Sequence, residues 1–208
     1  AYVNAHKDIL DQKVEVAVPG FEVSGGVWVA EGAEIHPDAV IDGPAVIGDN
    51  ARVEAGARLG EYTVLGTNVK VRADAQIHRS IIQDNAYLGE GVRLAGAVVG
   101  RACDVRRGAR CEDGSVLGDE CFIGEDAVIG AGVKVYPFKT VEAGAVVNTS
   151  IVWESRGARS LFAGLGVSGL ANVDITPEFA ARLAMAFATT LKKDATVVTS
   201  RDSSRSAR

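Results

Sequence analysis

Histidine, cysteine and arginine are the residues of this 208-residue chain whose types could do chemistry, and their spacing limits what that chemistry is. His36 and His78 each follow an aliphatic residue, Ile35 and Ile77. A histidine so placed could act as a base toward an acceptor hydroxyl or amine. The competing reading is a solvated turn histidine with no chemical task. His6, His36 and His78 lack the closely spaced ligand pair that a zinc site needs. Cys103, Cys111 and Cys121 are odd in number and form no CxxC pair, so neither a disulfide framework nor a zinc knuckle is expected. Arg101, Arg106, Arg107 and Arg110 crowd into one short stretch, as a solvated face or as an anion or regulatory site. Ser203 and Ser204 follow an Arg-Asp pair and read as turn residues.

The elements that must position these groups are constrained by composition. A net charge of −5 without a run of five basic residues argues against nucleic acid or an anionic membrane as the main partner. No apolar run nears the roughly 20 residues of a membrane-spanning helix, and the first residues lack a basic region followed by an apolar one. A soluble, cytoplasmic protein is expected. With 24 glycines and 47% hydrophobic residues but only 6% aromatics, the core must be built from small aliphatic side chains at close backbone spacing.

A repeat supplies that core. From Val29 an aliphatic residue returns every sixth position through Ile35, Ile41, Ile47, Val53, Leu59, Leu65, Val71 and Ile77. Four residues after most of them stands a small one, such as Ala33, Ala39, Ala45, Ala51, Ala57, Thr63 or Ala75. After a shortened step the pattern resumes at Ile82, Leu88 and Leu94, and after another it runs from Val99 to Val147. Neither the 3.6-residue period of a helix nor the two-residue period of a pleated strand gives a period of six. A coil with flat six-residue sides does. Ser80-Ile81-Ile82, Ala97-Val98-Val99 and Ser115-Val116-Leu117 recur once in every three repeats, which marks single three-sided coils with Gly-Asp, Gly-Glu and Asp-Asn pairs at the corners. About seven coils at a strand spacing of ~4.8 Å would make a prism roughly 34 Å long. Cys103 and Cys121, at the small inward position, are expected to stack on adjacent coils.

Segments such as Ile47-Gly48-Asp49-Asn50-Ala51-Arg52 and Ile123-Gly124-Glu125-Asp126-Ala127-Val128 resemble the hexapeptide-repeat left-handed β-helix family. The resemblance, not the period, implies the left-handed winding. The fold class expected is therefore mainly β: a left-handed parallel β-helix over residues 21–155, followed by the start of an α/β unit. Many enzymes carry this prism, hexapeptide acyltransferases among them, so it says little about activity. Such acyltransferases usually show a loop inserted over the site, and none interrupts Val29 to Val147.

The flanks add to this. Tyr2, Ala5, Ile9 and Leu10 lie near helical spacing, so residues 1–12 read as a short amphipathic helix leading into Val14–Val18. Residues 2–10 resemble the last helix of a sugar nucleotidyltransferase catalytic domain, and residues 1–20 would be that domain's end. Beyond Val152, Thr176-Pro177-Glu178 reads as a helix start, Phe179, Leu183, Ala186, Phe187 and Leu191 as an apolar helix face, and Ala195–Thr199 as a strand. Residues 161–169, 175–179 and 200–205 resemble the opening of the phosphohexomutase family's first α/β domain, which would occupy residues 156–208. This order resembles mannose-1-phosphate guanylyltransferase-like proteins fused to a phosphomannomutase-like domain. The absence of an initiating Met and the stop at Ser206-Ala207-Arg208 read as cuts in a longer protein.

The resemblance implies a parent enzyme that joins a sugar 1-phosphate to a nucleoside triphosphate, uses Mg²⁺ outside this chain, and assembles as a homo-oligomer. No catalytic or metal-binding residue is then expected here. Ser168, Arg201 and Arg205 are the positions that would touch a phosphosugar if the mutase-like end binds one. Phosphohexomutases commonly carry arginine in a Gly-Ile-Arg-Gly turn, where its fork suits a phosphate dianion. Here the turn is Gly166-Val167-Ser168-Gly169, and Ser200 replaces the family's glycine before the Arg-Asp pair, so a degraded or regulatory unit is expected. Finally, Val46 with Val64, and Val128 with Val146, occupy the outward sixth place three repeats apart, and are expected to form exposed apolar ridges, one of which meets the catalytic domain or a second subunit.

Overall fold

A computed structural model describes residues 2–152, 156, 157, 166, 167, 175–192 and 195–199. The chain divides into two units, Ala1–Val152 with Arg156–Ser160, and Trp153–Ser155 with Leu161–Arg208.

In the first unit, strands of two or three residues stack in parallel into three sheets, through seven successive coils. The first face runs from Val27–Val29 through Ala45–Ile47, Thr63–Leu65 and Ile81–Ile82 to Lys134–Val135. The second runs from Val40–Ile41 to Val146–Val147, and the third from Glu34–Ile35 to Arg156–Gly157. The six-residue period sets the core directly: Ile47, Leu59, Leu65, Leu88, Ile123 and Ile129 are fully buried, with Ala51, Ala57, Thr63, Ala109 and Ala127 buried beside them. A narrow triangular section has room for one large and one small side chain per side, which is why aromatics are excluded from it.

The corners follow an equally regular rule. From Ile47 on, the third residue past an inward aliphatic turns the chain with a positive φ, as Asn50, Gly56, Tyr62, Asn68 and Asp74 do, and so on to Gly144. Glycine, asparagine and aspartate tolerate this left-handed region best. At the two shortened steps the second residue takes that role, Arg79 after Ile77 and Gly96 after Leu94. Ser80 closes the first of these corners: its hydroxyl donates to the His78 carbonyl at 2.8 Å and accepts from the Ala97 N–H at 3.0 Å.

The first coil has a neighbour on one side only, so Ile35 remains 36% exposed although it stands in the inward series. Strand β1 (Phe21–Ser24) pairs antiparallel with β2 (Val27–Val29) and covers the open edge of the first face. Before it, helix α1 (Tyr2–Leu10) ends where Lys13 N–H reaches the Asp8 carbonyl and Gln12 takes a φ of 56°. Residues 14–18 form neither helix nor strand.

In the second unit, helix α2 (Pro177–Thr189) starts as its sequence requires, with the Thr176 hydroxyl accepting from Phe179 N–H at 3.2 Å and Pro177 in the first turn. None of its side chains is buried; Met185 and Phe187 are exposed. The expected strand over Ala195–Thr199 does not form, and Val198 stands in solvent. Strand propensity expresses fit to a half-buried pleated surface, and no described strand lies alongside to provide one. No described helix is long and apolar enough to cross a membrane.

Candidate functional site

Because strands stack in register, the outward residue just before each inward aliphatic belongs to a column running the length of its face. Each face has a different column. On the first it is Trp28, Val46, Val64, Ile81, Val98, Val116 and Lys134, apolar but for the last. The expected exposed ridge at Val46 and Val64 is covered: Val46 is 8% and Ile81 2% exposed, and Val64 is half-buried. The α1 segment ties to this side of the prism. Tyr62 Oη donates to Asp11 at 2.8 Å, Lys7 Nζ lies 4.9 Å from the Tyr62 ring centre, and Gln83 Nε2 donates to Tyr2 Oη at 3.4 Å. The Tyr62 hydroxyl, and after it Lys13, hold the Asp11 carboxyl below the usual carboxylate range.

On the second face the column is Val40, Arg58, Gln76, Arg93, Arg110, Val128 and Val146. Val128 and Val146 stack in register, with Val128 half-buried and Val146 62% exposed. Beside the arginines runs a shallow groove to which His78, Asp42 and Glu112 also contribute. Gly60 leaves the space that the imidazole of His78 occupies on the next coil.

The arginine cluster of residues 101–110 is thereby taken apart. Arg101 forms a two-pronged pair with Asp119, Nε at 3.1 Å and Nη2 at 2.7 Å, which holds the Asp119 carboxyl below its usual range. Arg106 pairs with Asp104 at 2.7 Å and lies over the Tyr87 and Phe122 rings on the third face. Arg107 faces Glu125 at 4.0 Å. Arg110 alone joins a new group, with Arg58 and Arg93. Sequence proximity missed those two partners; the sixth place of each repeat, compared between successive coils, holds the signal.

The remaining candidates do not assemble into a centre. His36 is exposed in a turn, where its Nδ1 accepts from Asp38 N–H at 3.1 Å. His6 stays on α1, its Nδ1 3.2 Å from the Tyr2 carbonyl. Cys103 and Cys121 occupy adjacent coils, each thiol donating to a carbonyl, Gly118 at 3.0 Å and Tyr136 at 3.1 Å. The hydrogen bond with Cys121, and then burial, push the Cys103 thiol up; burial, and after it the charge of Glu112, push Cys111 up to about 12. Cys103 and Cys111 are therefore held as neutral thiols, Cys103 at a small inward position and Cys111 in the aliphatic series beside Leu94 and Ile129. Among the described residues there is no group of three or more His, Cys, Asp or Glu side chains that could hold a metal ion. Ser168, Arg201 and Arg205, with Ser203 and Ser204, lie outside the described residues.

Solved structures share this prism. A UDP-N-acetylglucosamine acyltransferase from Arabidopsis is 15% identical with a TM-score of 0.51, over 85% of this chain and 77% of that one. The acyltransferase LpxA from Moraxella catarrhalis is 13% identical with a TM-score of 0.41, over 83% and 86%. The acetyltransferase domain of PglB from Neisseria gonorrhoeae, in complex with acetyl coenzyme A, is 19% identical with a TM-score of 0.40, over 70% of this chain. The chain spans 58% of that domain's length. Likeness at these identities is likeness of fold. No curated protein matches the chain in sequence. Residues 23–152, nearly the whole prism, match the profile of the GMPPB C-terminal domain. The chain therefore belongs to the GMPPB C-terminal domain family, the left-handed β-helix of sugar nucleotidyltransferases.

Proposed function

We propose that this prism is the assembly and domain-placement part of an enzyme that joins a sugar 1-phosphate to a nucleoside triphosphate and releases pyrophosphate, of the GDP-mannose pyrophosphorylase type. The observation that carries the reading is the family match over residues 23–152. On this reading nucleotide, sugar phosphate and Mg²⁺ are bound by a catalytic domain of the same enzyme. The test is an assay of the full-length protein that carries this chain, with mannose 1-phosphate and GTP first and other pairs after. Pyrophosphate release is expected, and failure with every nucleoside triphosphate and sugar 1-phosphate would sink the reading.

A second reading, a hexapeptide acyltransferase, is favoured by the shared fold with acyltransferases and by the exposed imidazole of His78 on a continuous face. Acyl transfer from acetyl coenzyme A to a sugar amine or hydroxyl, abolished by His78→Ala, would establish it over the first. Residues 156–208 are read as a degraded or regulatory phosphosugar-binding unit in which Ser168, Arg201 and Arg205 would bind the phosphosugar; robust hexose phosphate interconversion by the full-length protein would overturn that.

The exposed end of the second face belongs to the same proposal. Val128 and Val146 form an apolar step at the end of a column whose middle is polar, and such steps usually meet a partner. They are assigned to the contact with a second subunit or the catalytic domain in a cytoplasmic homo-oligomer. Lysine at both positions is expected to lower the oligomeric mass of the full-length protein in sedimentation; unchanged assembly and stability would count against it.

A further inference from the structure

We infer that the second face of the prism is a binding site for a small ligand bearing a chain of two or more linked phosphoryl groups, held by Arg58, Arg93 and Arg110. The inference stands on this charge column and not on the transferase reading.

Three observations carry it. Arg93 and Arg110 are direct partners on neighbouring parallel strands, and Arg58 follows one strand beyond Gln76. Like charges in register on adjacent strands repel each other. A chain of net charge −5 has acids enough to neutralise them, yet no described carboxylate comes within ion-pair distance of any of the three guanidinium groups. Elsewhere on the prism, by contrast, such arginines are paired: Arg52 with Glu34, Arg72 with Glu54, Arg101 with Asp119. The second face alone lines up several unpaired guanidinium groups among the described residues.

The geometry selects the ligand. Guanidinium groups present planar forks that match phosphate oxygens two at a time. Strands in register set the Arg93 and Arg110 backbones about 4.8 Å apart, with Arg58 two strands beyond Arg93, so the long side chains can converge on successive phosphoryl groups of one chain. A single phosphate would meet Arg93 and Arg110 only. Gln76 adds an amide donor between Arg58 and Arg93, and His78 lies in the same groove. Asp42 and Glu112 also line the groove, in the neighbouring column, where they disfavour an anion that spreads sideways and so confine it to the arginine column. The arginines stand on strands rather than loops, so their backbones are fixed in advance and only the exposed side chains are ordered when the ligand arrives.

The test uses the 208-residue chain at physiological ionic strength, titrated calorimetrically with inorganic tripolyphosphate, pyrophosphate and orthophosphate, and then with GTP and GDP. Affinity is expected to rise with the number of linked phosphates. Arg93→Gln and Arg110→Gln are each expected to weaken tripolyphosphate about tenfold or more, the loss of one charge-assisted contact, while Arg52→Gln on the third face leaves it unchanged. Arg93→Lys, which keeps the charge but not the fork, should fall between. Nucleotides binding more tightly than inorganic chains of equal length would identify the ligand as a nucleotide; equal binding would identify the phosphate chain itself. No binding of tripolyphosphate, or equal weakening by Arg52→Gln, overturns the inference. So does saturable binding of an acidic protein surface to this face without any phosphate binding.

Discussion

Replacing Leu88 with alanine is expected to lower the unfolding free energy of the prism by about 2–5 kcal/mol, read from the midpoint of a urea titration. Leu88 is 0% exposed, on a strand clamped between Lys70–Val71 and Asp104–Val105. In a globular core neighbouring elements can shift into such a cavity. Here every wall is a sheet whose strands are fixed by ladders to the coils above and below, so the void stays open. Each coil touches only its neighbours, and stability is close to a sum of coil and interface terms. A defect in a middle coil weakens the interfaces on both sides and divides the stack. Tyr87→Ala, one residue away on the outward side, removes only a partly exposed ring beside Arg106 and should cost about 1 kcal/mol or less. Equal losses at the two positions would mean that inward and outward places are not distinguished, and the prism reading would fall.

The inward series was legible because burial in a solenoid depends on position within the six-residue repeat and on little else. Ile47, Leu59 and Ile123 are buried for the same local reason, and the two shortened steps near Ile77 and Leu94 leave their mark as positive φ at Arg79 and Gly96. The outward surface obeys a longer rule. Neighbours there stand one full coil apart in sequence, so Arg106 and Arg110 diverge onto different faces while Arg58 and Arg110 share one. A cluster in sequence is then no cluster in space. Val46 failed as an exposed residue for a related reason: whether an outward column is bare depends on what lies over it, and the six-residue repeat carries no signal of that. Ala195–Thr199 failed because β-branched residues favour a strand only when a partner strand exists.

Ile81→Asp is expected to release α1 while leaving the prism folded. Ile81 points away from the prism core yet is only 2% exposed, so something apolar or close-packed must cover it, and α1 is the element bonded to this side, through Tyr62–Asp11 and Tyr2–Gln83. A carboxylate there would lose its water if the cover stayed, a cost of several kcal/mol set against the small gain a nine-residue helix makes on docking. The cheaper response is to undock the helix. In amide hydrogen exchange, residues 2–10 should lose protection, while Leu88 and Ile123 keep theirs. Acid should act on the same contact from the other partner. Because the Tyr62 hydroxyl depresses the Asp11 pKa, the contribution of this contact to docking is fully present above the ordinary carboxylate value and is lost as pH falls through the lower, docked value. In Tyr62→Phe, which removes the hydroxyl that is the largest cause of the depression, α1 protection should become less sensitive to pH over that window. Val146→Asp supplies the contrast: 62% exposed on the second face, it should leave both the helix and the prism protected in the isolated chain. If Ile81→Asp behaves like Val146→Asp, α1 does not cover the first face. If Ile81→Asp unfolds the whole prism, the outward column contributes to the core itself, and the separation of inward and outward places on that face is wrong.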